Sequence, residues 1–227
     1  MVGQVIENLD AEKVAYWYLR LNGFFQMENF IVHPKTRDSQ RTDADLIGVR
    51  FPYRAEHRYD NPERVMQDDV DCLGLSQDTV EVVIVEVKAK QRCSLNGPWS
   101  NSDRQNVQRV LVAIGCLSGE EIEAAAKAIY ETGLYEMTDS GIRVRLVAIG
   151  LEISEELAES HSSVVQVTWP QIFGFIGARL HEYRSQKRDV KQWDSQIKLL
   201  QTLVKESRGD PAQFVETALE RLSARVD

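Results

Sequence analysis

The sequence predicts an α/β fold, a mixed central sheet flanked by helices, and three observations carry that prediction. The runs Glu81-Val-Val-Ile-Val-Glu-Val-Lys-Ala-Lys90 and Gly141-Ile-Arg-Val-Arg-Leu-Val-Ala-Ile-Gly150 have the apolar content and alternation of strands. Residues 8–22 repeat apolar side chains at helical spacing. The order of elements is helix, three strands, helices, strand, strand, helices, which interleaves the two kinds as layered α/β proteins do. With 227 residues, 43% of them apolar, the chain can bury a substantial core.

In the first helix, Asn8 or Asp10 can serve as cap. Leu9, Val14, Trp17, Tyr18 and Leu21 form the apolar stripe, and Asn22-Gly23 supplies the stop. Phe24 opens an extended segment to about His33, and residues 34–41 are a polar loop. Asp43-Ala-Asp-Leu-Ile-Gly-Val-Arg-Phe51 reads as a second strand ended by Pro52, and Glu81 to Lys90 as the third. The polar stretch 52–79 between them is long for a strand connection, which is uncommon unless the segment serves a purpose or moves. Gly97-Pro98-Trp99 marks a loop, and a helix beginning at Asp103 carries Val107, Val110, Leu111 and Ile114. Another helix covers 119–131. Residues 141–150 and 163–168 are the remaining strands, and a helix runs from Trp169-Pro170 to about Arg188. Two amphipathic helices follow, parted around Gly209-Asp-Pro211. The chain therefore divides into a domain at 1–188, with an insertion at 52–79, and a helical extension at 189–227 packed on it.

A net charge of -8 and a pI near 5.2 argue against coating nucleic acid by bulk charge. The charge is uneven, however. Lys35, Arg37, Arg41, Arg50, Arg54, Arg58 and Arg64 crowd one stretch, while Glu120, Glu121 and Glu123, then Glu152, Glu155, Glu156 and Glu159, form acidic clusters. No N-terminal basic segment leads into an apolar one, and no run approaches the roughly 18 apolar residues of a membrane span. A soluble cytoplasmic protein without membrane contact is expected. Cys72, Cys93 and Cys116 are odd in number and widely spaced, which disfavours disulfides and a zinc site and leaves free thiols. His33, His57, His161 and His181 show no ligand spacing, and Asp68-Asp-Val-Asp71 lacks the pattern of a calcium loop.

The third strand carries the chemistry. Alternation sends Val83, Val85, Val87 and Ala89 to one face and Val82, Ile84, Glu86, Lys88 and Lys90 to the other, so a carboxylate and an ammonium emerge side by side. Charges enter a sheet only when paired or bound to a cation, because desolvation costs several kcal/mol per ion. An ExK tripeptide alone is explained equally well by an ion pair on an exposed strand. Asp45 on the preceding strand and Glu12 on the first helix give it more weight. Mg²⁺ takes hard oxygen ligands and keeps several waters, so two carboxylates such as Asp45 and Glu86 with one carbonyl are a sufficient protein share. Ser94 to Ser102, near Lys90, Arg92 and Arg104, can meet phosphates. Gln105 and Gln108 lie where substrate or water can be reached, and Trp99 and Trp169 read as core or hinge aromatics.

These residues resemble the restriction-endonuclease-like, or PD-(D/E)XK, nuclease superfamily. Thr42-Asp-Ala-Asp-Leu-Ile-Gly-Val49 looks like its first motif and Val85-Glu-Val-Lys88 like its (D/E)XK motif. The helix with Glu12, Val14, Ala15, Tyr18 and Leu19, closing on Gly23-Phe24, is similar to the opening helix of archaeal Holliday junction resolvases. The match spans roughly residues 8–114. The resemblance implies a restriction-endonuclease-like fold and metal-dependent hydrolysis of phosphodiester bonds, DNA before RNA. By it Asp45 and Glu86 ligate Mg²⁺ or Mn²⁺, the Val87 carbonyl completes the site, Lys88 activates water and Glu12 assists; a homodimer is also implied. Two departures stand out: Ala44 replaces the proline before the aspartate, leaving Asp43 as a rival ligand on the face of Asp45, and the 52–79 insertion has no counterpart in the minimal core. Asp45 is preferred because Leu46-Ile-Gly-Val49 follows it. The alternative is a nuclease-fold module that has lost activity and binds nucleic acid or protein.

Overall fold

A computed structural model describes residues 8–32, 42–58, 61–137, 139–187 and 191–223. In chain order the elements are β1 (Leu9–Asp10), α1 (Ala11–Leu21), β2 (Phe25–Val32), β3 (Thr42–Arg50), α2 (Val70–Leu73), β4 (Val80–Val87), α3 (Gly97–Ser100), α4 (Asn106–Ile114), α5 (Ile122–Thr132), β5 (Leu134–Met137) and β6 (Ile142–Gly150). They continue with α6 (Glu155–Ser160), β7 (Val165–Thr168), α7 (Trp169–Glu182), α8 (Ser195–Glu206), α9 (Pro211–Arg221) and β8 (Leu222–Ser223). The expected loop at 34–41, the residues Lys35, Arg37 and Arg41, and the proposed division at 188/189 lie outside the described residues.

The main sheet is mixed and has six strands in the order β2-β3-β4-β6-β5, with β7 pairing the end of β6. β2, β3 and β4 are antiparallel, β4 and β6 parallel. Central strands covered on both faces read as continuous apolar runs, and Val82 to Val85 and Leu146 to Ile149 do so. Val83, Val85, Val147 and Ile149 pack with α1, α7, α8 and α9. Val82, Ile84, Leu146 and Ala148 pack with α4 and α5. The two faces of β4 are thus divided as alternation predicts.

Asp10 caps α1 by accepting the Lys13 N–H at 3.0 Å, and the helix buries Val14, Trp17, Tyr18 and Leu21 before Gly23 ends it at a φ of 83°. The C-terminal helices share this core through Ile197, Leu200, Leu203 and Phe214. They are tied to the N-terminus as well: β8 pairs with β1, Gln196 Oε1 accepts the Asp10 N–H at 2.8 Å, and Asp194 accepts from the Trp17 indole at 3.0 Å.

The segment between β3 and β4 is strapped down along part of its length. Tyr18 Oη donates to Asp69 at 2.7 Å, and Asn22 Oδ1 accepts the Asp69 N–H at 2.7 Å. Asp68 is held by Arg50 at 2.9 Å and by Arg54, while Lys187 donates to Glu56 at 2.7 Å. Arg179 on α7 donates to the Leu21 carbonyl at 3.1 Å and to that of Gln67. Burial drags the Arg179 guanidinium below its ordinary pKa, against the opposing pull of Asp68 and Glu56. Part of the basic stretch noted in the sequence is therefore consumed by this internal clasp.

Several elements differ from expectation. α7 ends at Glu182 and turns follow it, with the Lys187 N–H on the Tyr183 carbonyl at 3.0 Å, which delivers the Lys187 side chain to Glu56. α4 starts at Asn106, after a 3₁₀ turn at Ser102–Arg104. β5 and α6 were not anticipated: β5 has only four residues, and α6 is built from an acidic stretch that the Ser154 cap turns into a helix by accepting the Leu157 N–H at 3.2 Å. No helix among the described residues is long and apolar enough to cross a membrane. Cys72 and Cys116 are half-buried and Cys93 is buried, all three free thiols.

Candidate active site

Leu46 pairs with Val85 across the antiparallel β3–β4 ladder. The backbone ladder ends at that pair, one residue short of Asp45 on β3 and of Glu86 on β4. There Asp45 Oδ2 accepts the Val87 N–H at 2.7 Å. The Lys88 N–H points the other way, to the Ile149 carbonyl of β6 at 2.9 Å. A trans peptide directs its C=O opposite to its N–H, so the Val87 carbonyl faces the Asp45 side. The carboxylate of Asp45 and the carbonyl of Val87 are thus turned to one end of the sheet.

Glu86 is 2% exposed and carries three N–H donors. Oε1 accepts from Lys88 Nζ at 2.5 Å and from the Asn96 side-chain amide, and Oε2 accepts from the Trp99 indole at 2.8 Å. Lys88 also donates to Asn96 Oδ1 at 2.9 Å, so Asn96 bridges both members of the pair. The loop after β4 returns Asn96 and Trp99 to the strand for local reasons. Gly150 lets the chain pass close, since a Cβ there would lie 2.4 Å from the Cys93 nitrogen. The Cys93 N–H then bonds the Glu152 carbonyl at 2.8 Å, and α3 places Trp99, 1% exposed, in the second core. Trp99 is therefore a core aromatic. The Trp169 indole fixes the opposite wall by donating to the Lys88 carbonyl at 2.9 Å.

The structure brings Asp45, Glu86, Val87 and Lys88 together at one strand end. Glu12 is half-buried in the first turn of α1, a helix packed on the Val83 and Val85 face. Gln105 is exposed at a φ of 53°, and Gln108 is half-buried with an Oε1 that has no hydrogen-bond partner among the described residues. The side chains of Asp43 and Arg104 lie outside the described residues. The contacts of Asn96 and Trp99 with Glu86 escaped the sequence reading, as did the register of Asn29. The β2–β3 pairing passes over Asn29 between Glu28 and Phe30, at the register position of Asp45, and its φ of 51° is left-handed. Asparagine is among the few residues that enter this region readily, which is the only signal its position held.

Among the described residues, no group of three or more His, Cys, Asp or Glu side chains gathers where a metal ion can sit. The donors nevertheless suit a hard divalent cation in kind, since Asp45, Glu86 and the Val87 carbonyl supply only oxygen. Lys88, Asn96 and Trp99 already donate to Glu86, while Asp45 meets the backbone of Val87. Comparison with protein-family models, with curated proteins and with solved structures finds no match to this chain.

Proposed function

We propose that this chain is a metal-dependent nuclease of the restriction-endonuclease-like type that hydrolyses phosphodiester bonds, DNA being the favoured substrate. The observation that carries the reading is the meeting of Asp45 with Val87 beside the Glu86–Lys88 pair. Asp45, Glu86 and the Val87 carbonyl would hold Mg²⁺ or Mn²⁺, which when bound supplies Lewis-acid polarisation and a water of lowered pKa. Lys88 sets a positive charge beside the site, where it can donate to an anionic oxygen of the reacting phosphate. Asn96 holds the Lys88 ammonium in place, Trp99 anchors Glu86, and Glu12 assists from α1. A cytoplasmic setting, in which three free thiols persist, and a homodimer that cuts both strands belong to the same proposal.

The test is purified protein with Mn²⁺ on single-stranded, duplex and branched DNA and on RNA. Cleavage is expected, and Glu86→Ala and Lys88→Ala are each expected to abolish it. Activity that survives both substitutions overturns the assignment.

One observation favours a second reading, that of an inert nuclease-fold module. The Glu86 carboxylate is already charge-paired with Lys88 and accepts from Asn96 and Trp99. Titration calorimetry separates the two: an Asp45-dependent Mn²⁺ site supports the enzyme, and its absence supports the module.

A further inference from the structure

The end of α7 and the length of α8 border a cleft of about 1230 Å³, and the charged side chains lining it among the described residues are all basic. Arg184, Lys191, Lys198, Lys205 and Arg208 border it, with His181 and the Glu56-paired Lys187, and among the described residues no carboxylate lines it. The first five cations are exposed, and none has a carboxylate partner among the described residues. Lys198 donates to the Lys191 carbonyl at 3.4 Å, which adds to the crowding of positive charge. This is unexpected in a chain of net charge -8, whose buried cations Arg50, Arg179 and Lys187 are held in ion pairs.

Helix dipoles explain part of the cluster. Cations are favoured at helix C-termini, and Arg184, Lys205 and Arg208 lie at or just past such ends. Lys191 and Lys198 stand before and within the first turn of α8, where the dipole disfavours them. Their position needs another reason. Lys198 and Lys205 share a face of α8, two turns and about 10 Å apart, while Ile197, Leu200 and Leu203 occupy the buried side. The charges therefore form a rail along the helix, facing Arg184 across the cleft. Such spacing suits an extended polyanion with repeating phosphates. An anionic membrane is the poorer fit, because a surface helix that inserts into lipid presents large apolar residues, and none of the exposed ones lies here.

We infer that this cleft binds the phosphate backbone of a nucleic acid, as a site separate from the Asp45–Glu86 strand end. Phosphate contact positions a strand without reading its bases, so the binding is expected to be independent of sequence. The choice of nucleic acid as ligand rests in part on the nuclease reading, but the binding itself does not require turnover.

The test uses the full chain in EDTA, with fluorescence anisotropy of labelled duplex and single-stranded oligonucleotides over a range of salt. Lys198→Glu combined with Lys205→Glu is expected to weaken binding at least roughly tenfold and to reduce the slope of log affinity against log salt by about 2 on duplex. Lys127→Ala, an exposed lysine on α5, is expected to leave both unchanged. Circular dichroism and thermal melting establish that the double variant is folded; if it is not, Lys198→Ala and Lys205→Ala are measured singly, each expected to lower the slope. Folded variants that bind like the parent overturn the inference, as does binding to phosphatidylcholine–phosphatidylserine vesicles with none to oligonucleotides. Loss of cleavage in Glu86→Ala with binding intact separates the two sites. A protein that cuts nothing but binds through Lys198 and Lys205 refutes the nuclease reading and leaves this one standing.

Discussion

The Asp45 carboxylate accepts the backbone N–H of Val87 at 2.7 Å, so a side chain continues the β3–β4 ladder one step past its last backbone pair, Leu46 with Val85. The acid is fixed at the strand end instead of swinging free. A hydrogen bond to a charged acceptor contributes about 1.5–3 kcal/mol when buried, and less where the acceptor is half-exposed as here.

Asp45→Ala is therefore expected to lose about 1–2 kcal/mol of stability together with any Mn²⁺-dependent cleavage. Asp45→Asn keeps an acceptor for Val87, so it should recover most of the stability and none of the cleavage. Urea denaturation alongside the nuclease assay checks both, and equal stability loss in the two variants contradicts the capping role.

Trp99→Phe keeps the aromatic bulk and removes one N–H donor from a Glu86 that is nearly inaccessible to water. An expected loss of about 1–3 kcal/mol follows from leaving that acceptor short of a partner. Trp99→Ala adds a cavity and should cost about 3–5 kcal/mol. Denaturant midpoints at constant m-value measure the difference.

The Asp68 side chain, 6% exposed, lies between Arg50 and Arg54, with Arg179 3.7 Å away. Removing the anion leaves buried cations uncompensated, which typically costs about 3–5 kcal/mol. Asp68→Ala is expected to destabilise by that order and to open the 52–79 segment to proteolysis. A stability change within experimental error argues that the clasp is dispensable.

Glu56 has its pKa lowered: burial raises it, but the Lys187 hydrogen bond and charge, with Arg54 and Arg179, more than offset that. A carboxyl with a depressed folded pKa contributes stability that is fully present above its unfolded value, about 4.3, and lost as pH falls through the lower folded value. Thermal melting between neutral and acid pH is expected to show this loss. Glu56→Gln should be less stable near neutrality and show a smaller decline on acidification.

Burial pushes the thiols up, Cys93 to about 11, with Cys72 and Cys116 also raised. Few thiolates exist at neutral pH, so a disulfide-exchange reagent is expected to react slowly with native protein and with three equivalents after unfolding. Rapid native reaction at Cys93 contradicts its placement.

The local pattern alone determined the helix at α1, the strands β3, β4 and β6, and the division of β4 into a Val83/Val85 face and a Glu86/Lys88 face. These depend on periodicities of 3.6 and 2, which any short window of sequence contains. It also determined that Glu86 and Lys88 are neighbours. Short elements such as β5 and α6 were invisible, because four to six residues carry too little period to be recognised. Only the tertiary structure decided that Asn96 and Trp99 turn back onto Glu86. It likewise decided that Asn29 lies level with Asp45, that Arg50, Arg54 and Lys187 are consumed in a clasp, and that Lys191, Lys198, Lys205 and Arg208 gather in one cleft. Each of these depends on how loops close and how helix faces are turned toward one another. Such contacts are made between residues distant in sequence, and no local spacing encodes them.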